Sequence, residues 1–365
     1  MNKDFHYGVI YIVARFAGMP VAEAQTIAHA CQYVDDATTD GPLKFRGQQS
    51  FDRFASAHEM LDYRNAHQDM DERVWAPFHF LPACEGATLD EQVVSRPDSL
   101  PARGLVSHIL ELHAKAPEDN DLHRLGVCLH TYVDTWAHQG FSGIKSDRNK
   151  VTQLTGTHHP TPDHWWQELE VRVEQGEDEF KSLTVDLISN VGHGAALHYP
   201  DRAWVEWSYV NGVEEQVDRN NLPDFLMAAH RACQTIQAFL AGSPDFLSQP
   251  GLSGNQHSAL ENLLATNTNE DDGQRLAVMA ETLVTTGLAG LKEPLPPYIA
   301  KGVGSWKYLA TGISEEGDGS LMVDDRPTWT QNFEASDYRK VHDAIKQHRH
   351  FVTEELLLRY NVRLA

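Results

Sequence analysis

Several common kinds of site are missing from this 365-residue chain. The only cysteines are Cys31, Cys84, Cys128 and Cys233. They form no Cys-x-x-Cys pair, which excludes the usual zinc-finger and dithiol redox motifs. Cys31 and Cys128 lie in apolar segments, where we expect reduced thiols in the core. The chain also lacks the spacing of a phosphate-binding P-loop and the Gly-x-Ser-x-Gly turn of serine hydrolases.

Long apolar runs and positive charge are also scarce. No run of 18 or more apolar residues occurs, so we expect no membrane-spanning helix. The opening MNKDFHYGVIYIVARFAG lacks the basic start and cleavage site of a signal peptide, and we expect a cytoplasmic protein. The chain has 30 basic and 52 acidic residues, a net charge of -22. Because such a field repels polyanions, we expect no duplex nucleic acid as partner.

Helical periodicity dominates the chain. It predicts helices over residues 5–18, 20–37, 99–115, 120–139, 165–175, 201–217, 222–242, 255–267, 273–290 and 335–360. Residues 41–75 are ambiguous, and the proline and glycine residues of 291–334 predict a long irregular connection. We therefore expect an all-α fold, a single compact multi-helix domain. Residues 1–217 would form its core and 218–365 a C-terminal helical extension packed on the same domain.

Histidine is abundant, with 20 residues, and three polar residues of one predicted helix form a chemically informative pattern. In LGVCLHTYVDTWAHQGF, His130, Asp134 and His138 recur at intervals of four and share one helix face. Their apolar neighbours argue against a solvated ion-pair face. Imidazole and carboxylate are good ligands for zinc, and a carboxylate between two histidines can bridge two ions. Such ion pairs recur in phosphoester hydrolysis, so we predict a metal centre with Asp134 as the bridging catalytic residue.

Other ligands have to come from distant segments. His6 lies at the start of the first predicted helix, and Asp35 ends the second. His79 lies between two phenylalanines, where a buried unpaired imidazole would be costly. The segment NVGHGAALHYPDRAW adds a histidine and an aspartate. The predicted metal ligands are His6, Asp35, His79, His130, Asp134, His138, His193 and Asp201.

In this order, the residues resemble the zinc-dependent phospholipase C and single-strand nuclease family, which are helical three-zinc phosphodiesterases. The resemblance covers about the first 200 residues. It is carried by His6, Asp35 in Tyr33-Val34-Asp35, His79 followed by Phe80, His130 with Asp134, His138 and His193. It implies a similar fold, with added C-terminal helices, and hydrolysis of a phosphoester.

The pattern departs from the family in its spacing. His138 follows His130 by eight residues rather than ten. No acid lies four residues after His193, so Asp201 or His198 would have to serve instead.

Three alternatives complete the set of candidates. His164 and Glu168 form a rival pair with the expected spacing, and Asp36 adjoins Asp35. The family's processed N-terminal amine ligand is not expected in a chain that begins with Met and has no signal peptide, and Asp4 could replace it.

We therefore predict a hydrolase with two or three zinc ions, iron and manganese remaining possible, that acts through a metal-bound water. The substrate would be a small-molecule or lipid-headgroup phosphoester. An oxygen-using iron enzyme is a second reading, although paired Glu-x-x-His motifs are missing from the sequence. A metal-stabilised scaffold without catalysis is a third. The sequence does not indicate an oligomeric state.

Overall fold

Helices form most of the structure, a computed structural model that describes residues 1–58, 68–157, 191–314 and 326–364. A π-helical segment, Asp4–Val9, leads into α1 (Ile10–Phe16). The other helices are α2 (Val21–Asp36), α3 (Gln68–Phe78), α4 (Leu89–Gln92), α5 (Leu100–Lys115), α6 (Asp121–Ala137), α7 (Asn221–Leu240), α8 (Gly254–Thr266), α9 (Asp272–Thr285), α10 (Trp306–Thr311), α11 (Gln331–Glu334) and α12 (Asp337–Phe351). The helix predicted over 165–175 lies outside the described residues.

The all-α prediction is wrong, because two small antiparallel sheets accompany the helices. The first pairs β1 (Gly41–Lys44) with β2 (Ser50–Arg53). The second contains β3 (Val151–Gly156), β4 (Glu206–Asn211) and β5 (Gln216–Asn220), in that order. The fold is therefore mixed α/β.

The second sheet replaces the helix that we predicted over 201–217. Along β4, Trp207 and Tyr209 are buried while Glu206 is exposed, an alternation that a strand produces and a helix does not. Aromatic side chains also favour a pleated, half-buried surface. The turn that follows β4 closes through the backbone N–H of Asn211, which donates to the carbonyl of Glu215. Side-chain alternation and a tight turn therefore outweigh the helical reading of this segment.

The core unites the two predicted parts of the chain. One hydrophobic cluster contains Leu125 and Leu129 of the predicted core and Phe225, Met279 and Phe351 of the predicted extension. The predicted boundary between 217 and 218 falls inside β5.

Helix α6 lies at the centre of this fold. It packs against α2, α5, α7 and α12, and nearly all of its side chains are buried. The approach of α2 to α6 is close because Gly126 has no side chain. A Cβ atom on Gly126 would lie 2.6 Å from both the Cβ atom of Ala30 and the carbonyl oxygen of Ile27. This contact sets the distance between α2 and the polar face of α6.

We expect Gly126→Ala to lower the free energy of unfolding by about 1–3 kcal/mol, because the added methyl group has to push α2 and α6 apart. Gly254→Ala is the matched control, since a Cβ atom there meets nothing within 4 Å. Chemical unfolding of both variants measures the difference. Equal stabilities would contradict the close packing of the two helices.

Candidate metal centre

Helix α6 brings three predicted ligands to one place. His130 and Asp134 project from its last two turns, and His138 is the residue that caps its C-terminal end. All three are buried, with 0%, 0% and 4% of their surfaces exposed. Since a buried carboxylate is costly unless it is paired, the surroundings of Asp134 determine what this site can hold.

The two carboxylate oxygens of Asp134 face two different groups of nitrogen atoms. Oδ1 lies 2.7 Å from the Met1 amino nitrogen and 3.1 Å from Nε2 of His6. Oδ2 lies 3.3 Å from Nε2 of His130 and 3.5 Å from Nδ1 of His79. This is the arrangement of a carboxylate that can bridge two cations.

Four histidine rings are fixed by backbone carbonyls that accept one N–H from each ring. His79 donates from Nε2 to Ser56, and His130 donates from Nδ1 to Cys31, over 2.9 and 2.8 Å. The other two bonds run from Nδ1 of His138 to the His79 carbonyl and from Nδ1 of His193 to the Leu197 carbonyl. In a neutral imidazole that donates its N–H in this way, the other ring nitrogen carries a lone pair, which is the form that binds metal.

These lone pairs face one another or face carboxylates. Nε2 of His130 lies 3.1 Å from Nδ1 of His79, although both rings use their proton elsewhere. Among the described residues, Nε2 of His6 and Oδ2 of Asp134 are buried without a well-directed hydrogen-bond partner. Facing acceptors of this kind repel each other unless a cation lies between them. The donor set therefore fits a divalent cation.

Asp35 belongs with His79 and His130. Its Oδ1 atom lies 3.7 Å from a ring nitrogen of each, and the three residues form one cluster that could hold a metal ion. Although 32% of its side chain is exposed, burial by the surrounding protein raises the pKa of Asp35 well above its usual value, and the charge of Asp134 adds to this effect.

A further cluster that could hold a metal ion consists of His138, His193 and Asp201. Nε2 of His138 lies 3.2 Å from Oδ1 of Asp201, and Nε2 of His193 lies 3.5 Å from Oδ2. Asp201 ends a short 3-10 turn rather than capping a helix. Asp201 therefore reaches His193 from eight residues further along the chain.

Two contributors were missed from the sequence. The Met1 amino group is buried between Asp134 and Asp201, whereas the expected substitute, Asp4, pairs with Arg275 at 2.8 Å outside the centre. Cys31 lies with its sulfur 3.6 Å from Nδ1 of His6 and forms a third possible cluster with His6 and His130. The resemblance includes an N-terminal amine, which we set aside in favour of Asp4, and a lone thiol carries no sequence pattern that would have indicated Cys31.

The remaining alternatives stay peripheral or outside the described residues. His198 reaches Asp201 only at 4.0 Å. The Asp36 carboxylate accepts a hydrogen bond from the Tyr298 hydroxyl over 2.5 Å. His164 and Glu168 lie outside the described part of the chain.

Burial controls the charge state of the centre. It lowers the pKa of His6 and His193 to about 4 and that of His130 well below its usual value, so these rings are neutral ligands at pH 7. Burial would raise the pKa of Asp134, but His138, the Met1 ammonium and His6 outweigh it and hold this pKa well below its usual range. The centre therefore offers the neutral imidazoles of His6, His130 and His193 beside the ionised carboxylate of Asp134.

The centre opens into a cavity of about 380 Å³, whose lining includes Asp35, His79, His138 and Asp201. Leu197 contributes to its wall with an unusual backbone, φ 56° and ψ −134°. This conformation is costly for a residue with a side chain. It turns the Leu197 carbonyl toward Nδ1 of His193, at 3.0 Å.

We expect the full chain to bind at least two zinc ions, and Asp134→Asn to weaken zinc binding at least about a hundredfold, since loss of even an outer ligand partner costs 10–100-fold. Asp218→Asn, an exposed carboxylate on β5, is the matched control. Competitive titration with a chromogenic chelator measures both affinities. Indistinguishable affinities of the two variants would contradict the bridging role of Asp134.

Comparison with known proteins places the chain in a family without assigning an activity. No curated protein and no solved structure matches it significantly. A family model described as a family of unknown function, DUF6765, matches residues 1–356. Since this match covers nearly the whole sequence, the chain belongs to that family.

Proposed function

We propose that this protein is a metal-dependent hydrolase of phosphoesters, related to the zinc-dependent phospholipase C and single-strand nuclease family. One observation carries the proposal: each oxygen of Asp134 faces its own set of nitrogen donors. Closely spaced divalent cations at such a carboxylate supply Lewis acidity toward phosphoryl oxygens and a water of near-neutral pKa. The order of the ligands along the chain, from His6 to Asp201, adds support.

The protein's own groups would hold and orient this assembly. His79, His130 and Asp35 would hold one cation, and His138, His193 and Asp201 a second. His6 would add a donor on the Oδ1 side of Asp134, and the Met1 amine would add another once its ammonium proton is displaced. The carbonyls that accept from the histidine rings fix their orientation, so little rearrangement is needed when substrate binds.

The accessibility of the centre favours catalysis over a scaffold role. Structural zinc sites are closed by four protein ligands, whereas catalytic sites keep a position open to substrate. Here Asp35, His138, His193 and Asp201 line a cavity large enough for a small ligand, about 380 Å³. Trp75 and Phe80 contribute apolar surface to the same wall.

The negative charge around the cavity indicates which class of substrate it would accept. Asp36 and Asp272 line it beyond the ligands, and Asp272 lies 3.5 Å from Lys3. An acidic rim disfavours polynucleotides and favours a small or zwitterionic phosphoester, including a lipid headgroup. None of the described helices is both long and apolar enough to cross a bilayer.

Zinc is the metal we propose, because neutral imidazoles with carboxylates form its usual ligand set. Iron and manganese accept the same donors. Elemental analysis of the purified full chain distinguishes them, and an absorbing iron centre would favour the oxygen-using alternative.

We expect the zinc-loaded protein to hydrolyse bis(p-nitrophenyl) phosphate and Asp134→Asn to lower kcat/KM at least about a hundredfold, a loss typical of removing one group that stabilises the transition state. His257→Gln, at a half-buried histidine on α8 whose side chain is 44% exposed, should retain full activity. Zinc content is measured on the same samples, so that loss of metal is separated from loss of chemistry. A zinc-loaded protein that turns over neither diesters, monoesters nor phospholipids would refute the proposed function.

A further inference from the structure

A second cavity lies on the outer side of α12, in the part of the chain to which the metal centre assigns no role. Its volume is about 620 Å³. We call it the basic pocket and define it by Phe54, Arg73, Lys346, Arg349, Glu354 and Arg363. It shares no lining residue with the cavity of the metal centre. The opposite face of α12 packs on α6 and α3, with Nε2 of His348 2.9 Å from the carbonyl of Pro77.

The charge of the basic pocket is opposite to that of the whole protein. Among the described residues that line it, Arg73, Lys346, Arg349 and Arg363 accompany one carboxylate, Glu354. Within the described ranges, none of the four cations lies within 4.0 Å of a carboxylate oxygen, whereas neighbouring Arg359 pairs with Glu355 at 3.6 Å. The chain has 52 acidic and 30 basic residues, so this cluster of cations, as the described residues show it, contrasts with the charge of the protein as a whole.

Two of the cations are held in place by an aromatic ring. The guanidinium carbon of Arg349 lies 4.8 Å from the ring centroid of Phe54, and the Lys346 ammonium lies 5.4 Å from it. Residues three apart on a helix share a face, so both project from α12 into the same space. The ring stabilises the cations without neutralising their charge.

The close spacing of these cations destabilises the folded protein when no ligand is bound. Arg349 is partly buried, and burial together with the nearby charge of Arg73 lowers its pKa, with Asp40 opposing in part. Like charges that are held together repel one another. A group of anionic oxygens in the pocket would relieve that repulsion.

We propose that the basic pocket binds a soluble small molecule that carries two phosphate groups, at a site separate from the metal centre. The described lining residues, four cations and one carboxylate, give an excess positive charge, and two phosphate groups supply roughly −3 to −4 in return. Arginine binds phosphate oxygens in pairs, and three of the four cations are arginines. The volume lies within the range of small-ligand cavities.

A soluble ligand fits the pocket better than a membrane surface does. Membrane-docking faces present several large apolar side chains beside their cations. Of the described residues that line the basic pocket, Leu358 is the one large hydrophobic side chain classed as exposed, at 37%. The concave shape of the site also suits a compact anion.

The test is isothermal titration of the full chain with inorganic pyrophosphate. The double variant Lys346→Gln/Arg349→Gln should bind at least about tenfold more weakly, since each charge-assisted hydrogen bond contributes to affinity. Arg359→Gln, a cation on the same segment outside the pocket, is the matched control and should bind as the parent does. Asp134→Asn should also keep this binding, which separates the pocket from pyrophosphate bound at the metal centre.

Three results would overturn the proposal. The first is that pyrophosphate binds the parent and the double variant equally, and the second is that it binds neither protein. The third is that the double variant loses only co-sedimentation with vesicles of 80% phosphatidylcholine and 20% phosphatidylglycerol, while the parent ignores pyrophosphate. Thermal melting provides the folding control: in the absence of ligand, the double variant should melt at or above the parent temperature, whereas a purely structural role for these cations predicts a lower one.

Discussion

The fold is organised around one buried carboxylate. Asp134 lies on the polar edge of the central helix α6, where an unpaired charge would cost several kcal/mol. Compensation comes from residues that are far from Asp134 in the sequence: Met1 and His6 of the N-terminal segment, and His79 after α3. Each of these groups must lie within a few ångströms of the Asp134 carboxylate. The N-terminal segment, α3 and α6 therefore have fixed mutual positions. The close contact at Gly126 completes this frame, because it sets α2 near enough for the Cys31 carbonyl to orient His130.

The ligand candidates could be predicted because their signals are local. Spacing by four residues identifies one face of α6, and flanking phenylalanines identify His79 as a buried polar group. The structure brings all of these candidates together, although metal binding itself stays a prediction. The Met1 amine could not be found in this way, since its role depends on where a chain end folds. Histidine content alone also misleads, because His342 and His348 are just as buried yet belong to none of the possible metal clusters among the described residues.

The error in fold class has a physical origin. The segment around Trp204, Val205, Trp207 and Tyr209 places apolar residues at spacings that suit both a helix and a strand. Tertiary contacts determine that the segment is a strand. β4 pairs with β3 on one edge and β5 on the other, and it buries Trp207 and Tyr209 against Phe141 and Tyr199. Pairing between segments more than 50 residues apart, such as β3 and β4, leaves no trace in the periodicity of either segment.

The backbone conformation of Leu197 lowers the stability of the fold while it holds His193 in its position at the metal centre. A side chain in that conformation costs about 1–3 kcal/mol, which a glycine would largely avoid. The protein is therefore less stable than its topology permits, and the deficit is located beside His193. Selection for heat resistance alone would favour replacing Leu197, and would thereby loosen the loop that aims one of the imidazoles at Asp201.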